Sequence, residues 1–159
     1  MSFFEIIQII TAAIGSFGFG VLFNIRGKKL LAITLGGGIG WIVFLLLIRL
    51  GLGEAACYFI VATLISVYAE IMARLLKAPT TVFITPSLIP FIPGSSLYYT
   101  LAYAFDGNSQ FFFQKAMKTV ELAAALAIGV IAATVAARLL MKIWQIVRRT
   151  SCHKENKGE

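Results

Sequence analysis

The chain has 159 residues, 59% of them hydrophobic against 13% charged, with a mean hydropathy of +0.89, which is too apolar for an ordinary soluble domain. At about 20 apolar residues per bilayer crossing the apolar stretches supply about five helices, and that leaves no room for a separate catalytic or nucleotide-binding domain. The formal charge of +7 comes from cations between and after the apolar stretches, where membrane-flanking charges sit, so it marks topology and not a nucleic-acid footprint.

In chain order, Ser2 and Glu5 have the spacing of a capping box at a helix start. No cation precedes the first apolar run, the first being Arg26, so that run is expected to remain as a membrane span and not to be a cleaved leader. Uncharged runs cover residues 6–25, 30–48, 55–69, 78–105 and 122–137, with lengths of 20, 19, 15, 28 and 16 residues. The third and fifth must take in flanking residues to cross a core of about 30 Å. They are therefore extended to 54–74 and 118–138, which places Glu70 and Glu121 within spans, near their ends. The fourth run is too long for one straight helix and carries Pro79, Pro86, Pro90, Pro93 and Gly94, so its backbone must break. Asp106 to Ser109 is turn chemistry, and Phe111, Phe112 and Phe113 after it predict a segment lying in the membrane interface. Past the fifth span, Ile143, Trp144 and Val147 among Lys142, Arg148 and Arg149 predict an amphipathic stretch at the inner headgroup layer. The predicted organisation is one transmembrane domain over 1–140 and an amphipathic, polar cytoplasmic tail over 141–159.

Five spans with the N-terminus outside put 11 cations inside and leave Arg49, Lys115 and Lys118 outside. The positive-inside rule favours that orientation, N-out and C-in. A re-entrant hairpin in the fourth run would change the parity.

The fourth run holds the chemistry. Three prolines between positions 86 and 93 remove donors from the middle of an apolar stretch, and a break of this kind survives only when buried in protein or lining a polar cavity. Ser95 and Ser96 are predicted N-caps of a second half-helix starting near Leu97, whose free N–H groups and positive end suit a carboxylate. Discontinuous helices serve transporters in this way. Thr80, Thr81, Thr85, Ser87, Tyr98, Tyr99 and Thr100 add hydroxyls able to line a hydrophilic path; a proline-kinked helix whose hydroxyls merely satisfy freed backbone is the alternative. Glu70 and Glu121 are acids within spans and candidate proton carriers, although Glu70 with Arg74 and Glu121 with Lys118 also have helical ion-pair spacing. Gly15, Gly18, Gly20 and the cluster Gly36, Gly37, Gly38 and Gly40 lack the context of a phosphate loop and read as close helix packing, as do Ala123, Ala127, Ala133 and Ala137. Cys57, Cys152 and His153 form no metal-ligand set, no cofactor is called for, and no catalytic constellation marks an enzyme.

The segment from Lys77 to Thr100, with Ala-Pro-Thr-Thr at its start, Pro-Ser-Leu-Ile-Pro-Phe-Ile-Pro-Gly at its centre and Leu-Tyr-Tyr near its end, resembles the threonine/serine exporter (ThrE) family. In length and span layout the chain is similar to the small subunit of a split, two-component exporter. The resemblance implies a multi-pass protein of the bacterial inner membrane that exports threonine and serine, or succinate-like dicarboxylates in two-subunit members, together with a larger membrane subunit. It carries over Pro79, Thr80, Thr81, Pro86, Pro90, Pro93, Gly94, Ser95 and Tyr98 as the motif, without a role for any one of them. The expected function is a subunit of a proton-coupled exporter of small polar carboxylates. Its expected substrate site is Thr80, Thr81, Pro86, Ser87, Pro90, Pro93, Gly94, Ser95, Ser96, Tyr98 and Tyr99, with Glu70 and Glu121 as coupling acids. Its expected partners are the large subunit, the substrate, the lipid bilayer and a second copy of itself, with no nucleic acid. The competing expectation is a non-transporting membrane assembly subunit.

Overall fold

The computed structural model describes the backbone of residues 2–155 and the side chains of residues 2–139. It consists of α1 (Phe3–Leu22), α2 (Lys28–Arg49), α3 (Glu54–Leu75), α4 (Thr81–Leu88), a short 3-10 turn η1 (Ile89–Phe91), α5 (Gly94–Phe105) and α6 (Ser109–Glu155). This is an all-α polytopic membrane fold. Helices α1, α2, α3 and the 109–139 part of α6 are each long and apolar enough to cross a bilayer, and α4, η1 and α5 together replace the fourth expected span. The third helix agrees with the extension made for it at both ends to within a residue.

The first three helices stop in the same way. Asn24 (φ 56°), Gly51 (φ 79°) and Lys77 (φ 47°) take the left-handed conformation, and the next amides reach back to Gly20, Leu47 and Ala73 carbonyls at 2.9, 3.3 and 3.0 Å. These six-to-one bonds satisfy carbonyls that a helix end would otherwise leave open. Beyond the fourth run the turn at Asp106 to Ser109 forms as predicted, with Gly107 at φ 69°. The Phe111 to Phe113 segment forms the first turns of α6 and is continuous with it. The stretch 141–149 continues α6 as helix, while the amphipathic placement expected of its side chains, and the tail over 156–159, lie outside the described residues.

Packing follows the rule of a membrane bundle, small residues inside and large ones toward lipid. Ala12, Ser16, Ala32, Ala62 and Ala69 are buried, while Ile14, Leu35, Ile71 and Ile131 are exposed. The glycine cluster of α2 lets three helices close in. A Cβ at Gly37 would overlap Ser16 Oγ, one at Gly36 would lie 2.8 Å from Ser87 Oγ and 2.9 Å from Tyr68 Cε1, and one at Gly40 would lie 2.7 Å from Ile65 Cδ1. In α6 the close approach is made by Gly129, where a Cβ would come within 2.6 Å of the Phe59 carbonyl. Of the alanines expected there, Ala133 is buried, whereas Ala123 and Ala127 line an apolar groove.

The pairings fix the topology. Arg49 is ion-paired with Glu5 and Lys118 Nζ lies 3.3 Å from Glu54, so these four residues mark one end of the bundle. At the opposite end Thr80 meets Glu70, 16 residues and about 24 Å along α3 from Glu54. The fourth run therefore starts at that opposite end. Thr100 Oγ1 lies 3.3 Å from Thr119 Oγ1, next to Lys118, so the run finishes at the first end. It crosses the bundle as a broken span and does not turn back as a hairpin.

Candidate functional site

The break is built from proline chemistry. Pro86 sits inside α4 and Pro90 inside η1, and each removes the N–H that the carbonyl four residues earlier, on Val82 and Pro86, would have accepted. Ile92 is extended (φ −62°, ψ 125°), the conformation favoured before Pro93. Helix α5 then begins at Gly94, with Pro93 in the cap position and no side-chain cap. This corrects the expected capping: Ser95 and Ser96 lie within the first turn instead of preceding it, and the half-helix starts three residues before Leu97. The N–H of Gly94 is taken by the Ile92 carbonyl at 2.6 Å and that of Leu97 by the Pro93 carbonyl at 3.1 Å.

The two sides of the break differ. On the N-terminal side, α4 and η1 are wedged among α1, α2 and α3. Phe83, Pro86, Ser87 and Phe91 are buried there. Trp41 packs on Phe91 and Phe44 with centroids 5.2 and 5.5 Å away. On the C-terminal side, α5 packs chiefly against α6, leaving Ser95, Tyr98 and Tyr99 exposed.

The predicted site residues do not gather around one path. Ser87 is fully buried and its hydroxyl donates to the Ile33 carbonyl of α2 at 3.2 Å. Thr80 donates to Glu70 Oε2 at 2.8 Å, and Thr81, exposed, opens α4. Pro90 faces Gly15 of α1, whereas Pro93 faces α6 across an apolar groove of about 570 Å³ that Thr85 also lines. Tyr98 and Tyr99 stand edge to face at 5.5 Å, with Lys115 Nζ 5.9 Å above the Tyr99 ring. The structure thus brings Pro90, Pro93, Gly94, Ser95 and Ser96 together at the break and disperses the others.

The two span acids also separate. Glu70 holds Arg74 at 3.1 Å as well as Thr80, which ties the end of α3 to the start of the broken span. Glu121 is exposed and lies 3.5 Å from Lys118 on the surface of α6. Among the described residues no cluster of His, Cys, Asp and Glu could hold a metal ion.

One feature at the break was missed by sequence reasoning. A groove of about 260 Å³ between α1, α2 and η1 is lined by Gln8, Thr11, Gly15, Trp41, Ile89 and Pro90 among others. Gln8 and Thr11, two polar residues about one helical turn apart in the first uncharged run, were the available signal. Compared with known proteins, the chain matches the family model described as Threonine/Serine exporter, ThrE, over residues 8–136. No solved structure matches it.

Proposed function

The chain belongs to the threonine/serine exporter (ThrE) family, and from that premise we propose that it is one subunit of a proton-coupled exporter of small polar carboxylates: threonine and serine, or a succinate-like dicarboxylate. The observation that carries the reading is the break at Ile92 to Gly94 in the middle of the crossing span. It leaves the first turn of α5 without a side-chain cap, and the free N–H groups and positive end of a helix favour a carboxylate. The carbonyls freed by Pro86 and Pro90 are suited to an ammonium group.

The reading includes a partner. The packing of α5 chiefly on α6 supports a chamber around Ser95 whose far wall is supplied by another chain, either a larger membrane subunit or a second copy. With 11 of its cations on one side, the protein lies N-out and C-in in a bacterial inner membrane. Glu70 is the coupling acid. Protonation removes the charge that holds Arg74 and weakens the acceptor for Thr80, so proton binding loosens the attachment of the broken span to α3. Glu121, exposed on α6, is the secondary candidate.

Two variants test this. Ser95→Ala combined with Ser96→Ala removes hydroxyls from the first turn of α5 and is expected to raise the KM for export several-fold with membrane assembly intact; unchanged kinetics would remove the site. Glu70→Gln keeps a neutral acceptor for Thr80 and is expected to flatten the dependence of export on a proton gradient, and full retention of that dependence would exclude Glu70. The competing reading, a non-transporting assembly subunit, draws on the helix-packing roles of Ser87 and Gly36 and predicts that neither variant changes any flux.

A further inference from the structure

The hairpin of α5 and α6 overshoots the rest of the bundle at one end. From Glu54 to Arg74, α3 rises about 30 Å, the thickness of a hydrocarbon core, so Lys118, 3.3 Å from Glu54, stands at the boundary of that core. Thr100 of α5 lies level with it, beside Thr119. The turn of α6 before Lys118 and the last turn of α5 therefore lie in the headgroup layer, about 5–7 Å deep on each side. A pocket of about 800 Å³ opens there between the two helices. Tyr103 and Phe111, stacked with ring centroids 5.4 Å apart, form an apolar wall with Met117, and Gln114, Lys115 and Lys118 add polar groups. The two cations differ. Lys118 is held by Glu54 at 3.3 Å and by Glu121 at 3.5 Å. Lys115 forms no ion pair among the described residues; its Nζ lies 5.9 Å from the centre of the Tyr99 ring, at the limit of a cation–π contact.

We propose that this pocket binds the phosphate of an anionic phospholipid, with Lys115 as its counter-charge and the acyl chains laid along the exposed face of α6. Depth places the pocket where lipid phosphates are, and a lysine without a carboxylate attracts them. The lining carries one net positive charge, from Lys115 and Lys118 against Glu121. Met117, part of the pocket wall, also begins a stripe with Val120, Ile128 and Ile131. All four are at least 58% exposed, and their spacing puts them on one face of the helix, running from the pocket into the hydrocarbon core. A free phosphate would meet the polar groups alone, whereas a lipid adds the burial of its chains along this stripe. A lipid seated there braces α5 against α6 and so holds the second half of the broken span. The inference does not rest on the exporter reading.

The test is native mass spectrometry of the full chain in detergent, titrated with dioleoylphosphatidylglycerol. Competitors are dioleoylglycerol, which has the chains without phosphate, and glycerophosphoglycerol, which has the headgroup without chains. Wild type is compared with Lys115→Met, with Met117→Glu, which sets a negative charge in the pocket, and with Lys28→Met at the opposite end of the bundle. One lipid is expected to bind ahead of all others, with a Kd raised about tenfold in Lys115→Met and at least as much in Met117→Glu, as for loss of a charged partner, and unchanged in Lys28→Met. Neither competitor is expected to displace it at equal concentration. Met117 is exposed, so Met117→Glu keeps the test decisive should Lys115→Met fail to assemble. An unchanged Kd in Met117→Glu and in an assembled Lys115→Met overturns the site, as does an equal loss in Lys28→Met, which would mean diffuse attraction to all cations. Displacement by dioleoylglycerol would show that phosphate is not recognised, and displacement by glycerophosphoglycerol at equal concentration would show a site for a free anion; either overturns the lipid. None of these outcomes bears on transport, so the exporter reading stands or falls separately.

Discussion

Ser87 and Ser66 show how much a single hydroxyl can conceal in an apolar sequence. Both are almost fully buried, yet Ser87 donates to the Ile33 carbonyl, while Ser66 Oγ has no partner among the described residues. The sequence placed Ser87 among path-lining hydroxyls because a serine reads the same whether it faces water or the backbone of a neighbouring helix. Only the register of α4 against α2, set by Gly36, decides between the two. An intramolecular hydrogen bond contributes about 1 kcal/mol net, and leaving a buried group unsatisfied costs about 1–3 kcal/mol. Ser87→Ala is therefore expected to destabilise the protein by about 1 kcal/mol, and Ser66→Ala to be neutral or stabilising, in reversible unfolding in mixed micelles. Equal losses in both would show that the Ile33 contact contributes nothing particular. Glu70 is the opposite case. Its pairing with Arg74 was legible from their spacing of four, whereas its bond to Thr80 required the tertiary return of the chain at Lys77.

At the scale of elements, hydrophobic run length and proline placement carried most of the information. The third helix could be bounded by asking how far a 15-residue run must extend to cross a bilayer, because charged residues at span ends are tolerated while a short span is not. The break in the fourth was legible because proline lacks the N–H a helix needs. The starting point of α5 was not, since serine is a good cap in general, but proline before glycine already supplies a residue with no donor to satisfy. The length of α6 was also hidden: a charged and aromatic stretch before an apolar run looks interfacial, although nothing in it breaks a helix. Labelling separates the two halves of the broken span. In a chain with Cys152→Ser, an aqueous thiol reagent is expected to modify Ser95→Cys, at an exposed position in the first turn of α5, and to spare Ser87→Cys, packed on α2. Protection of both would mean that lipid or protein seals the break and that no polar path reaches it.

For the whole molecule, contacts divide the bundle into a pair α1 with α2 and a group α3, α5 and α6, with α2 against α3 and α4 wedged between them. At one end the Glu5–Arg49 pair lies within the first group and the Glu54–Lys118 pair within the second. Among the described residues no ion pair joins the two groups across α4. A molecule built this way has its natural line of movement along the broken span, where alternating access requires one. That the fold would be an all-α polytopic one with a break in the fourth apolar run was legible from composition, run length and proline placement alone. Which residues share a groove beside the break was not, because Gln8 and Trp41 lie 33 positions apart in sequence and meet only through the packing of α1 on α2.

The central claim is that the chain carries small polar carboxylates across the membrane as part of a larger exporter. Uptake of labelled threonine, serine and succinate into inverted vesicles, measured with this chain alone, with its large partner alone and with both, tests it most directly. Uptake that requires both chains is the expected result; absence of uptake in every combination would contradict the account and leave an assembly subunit in its place.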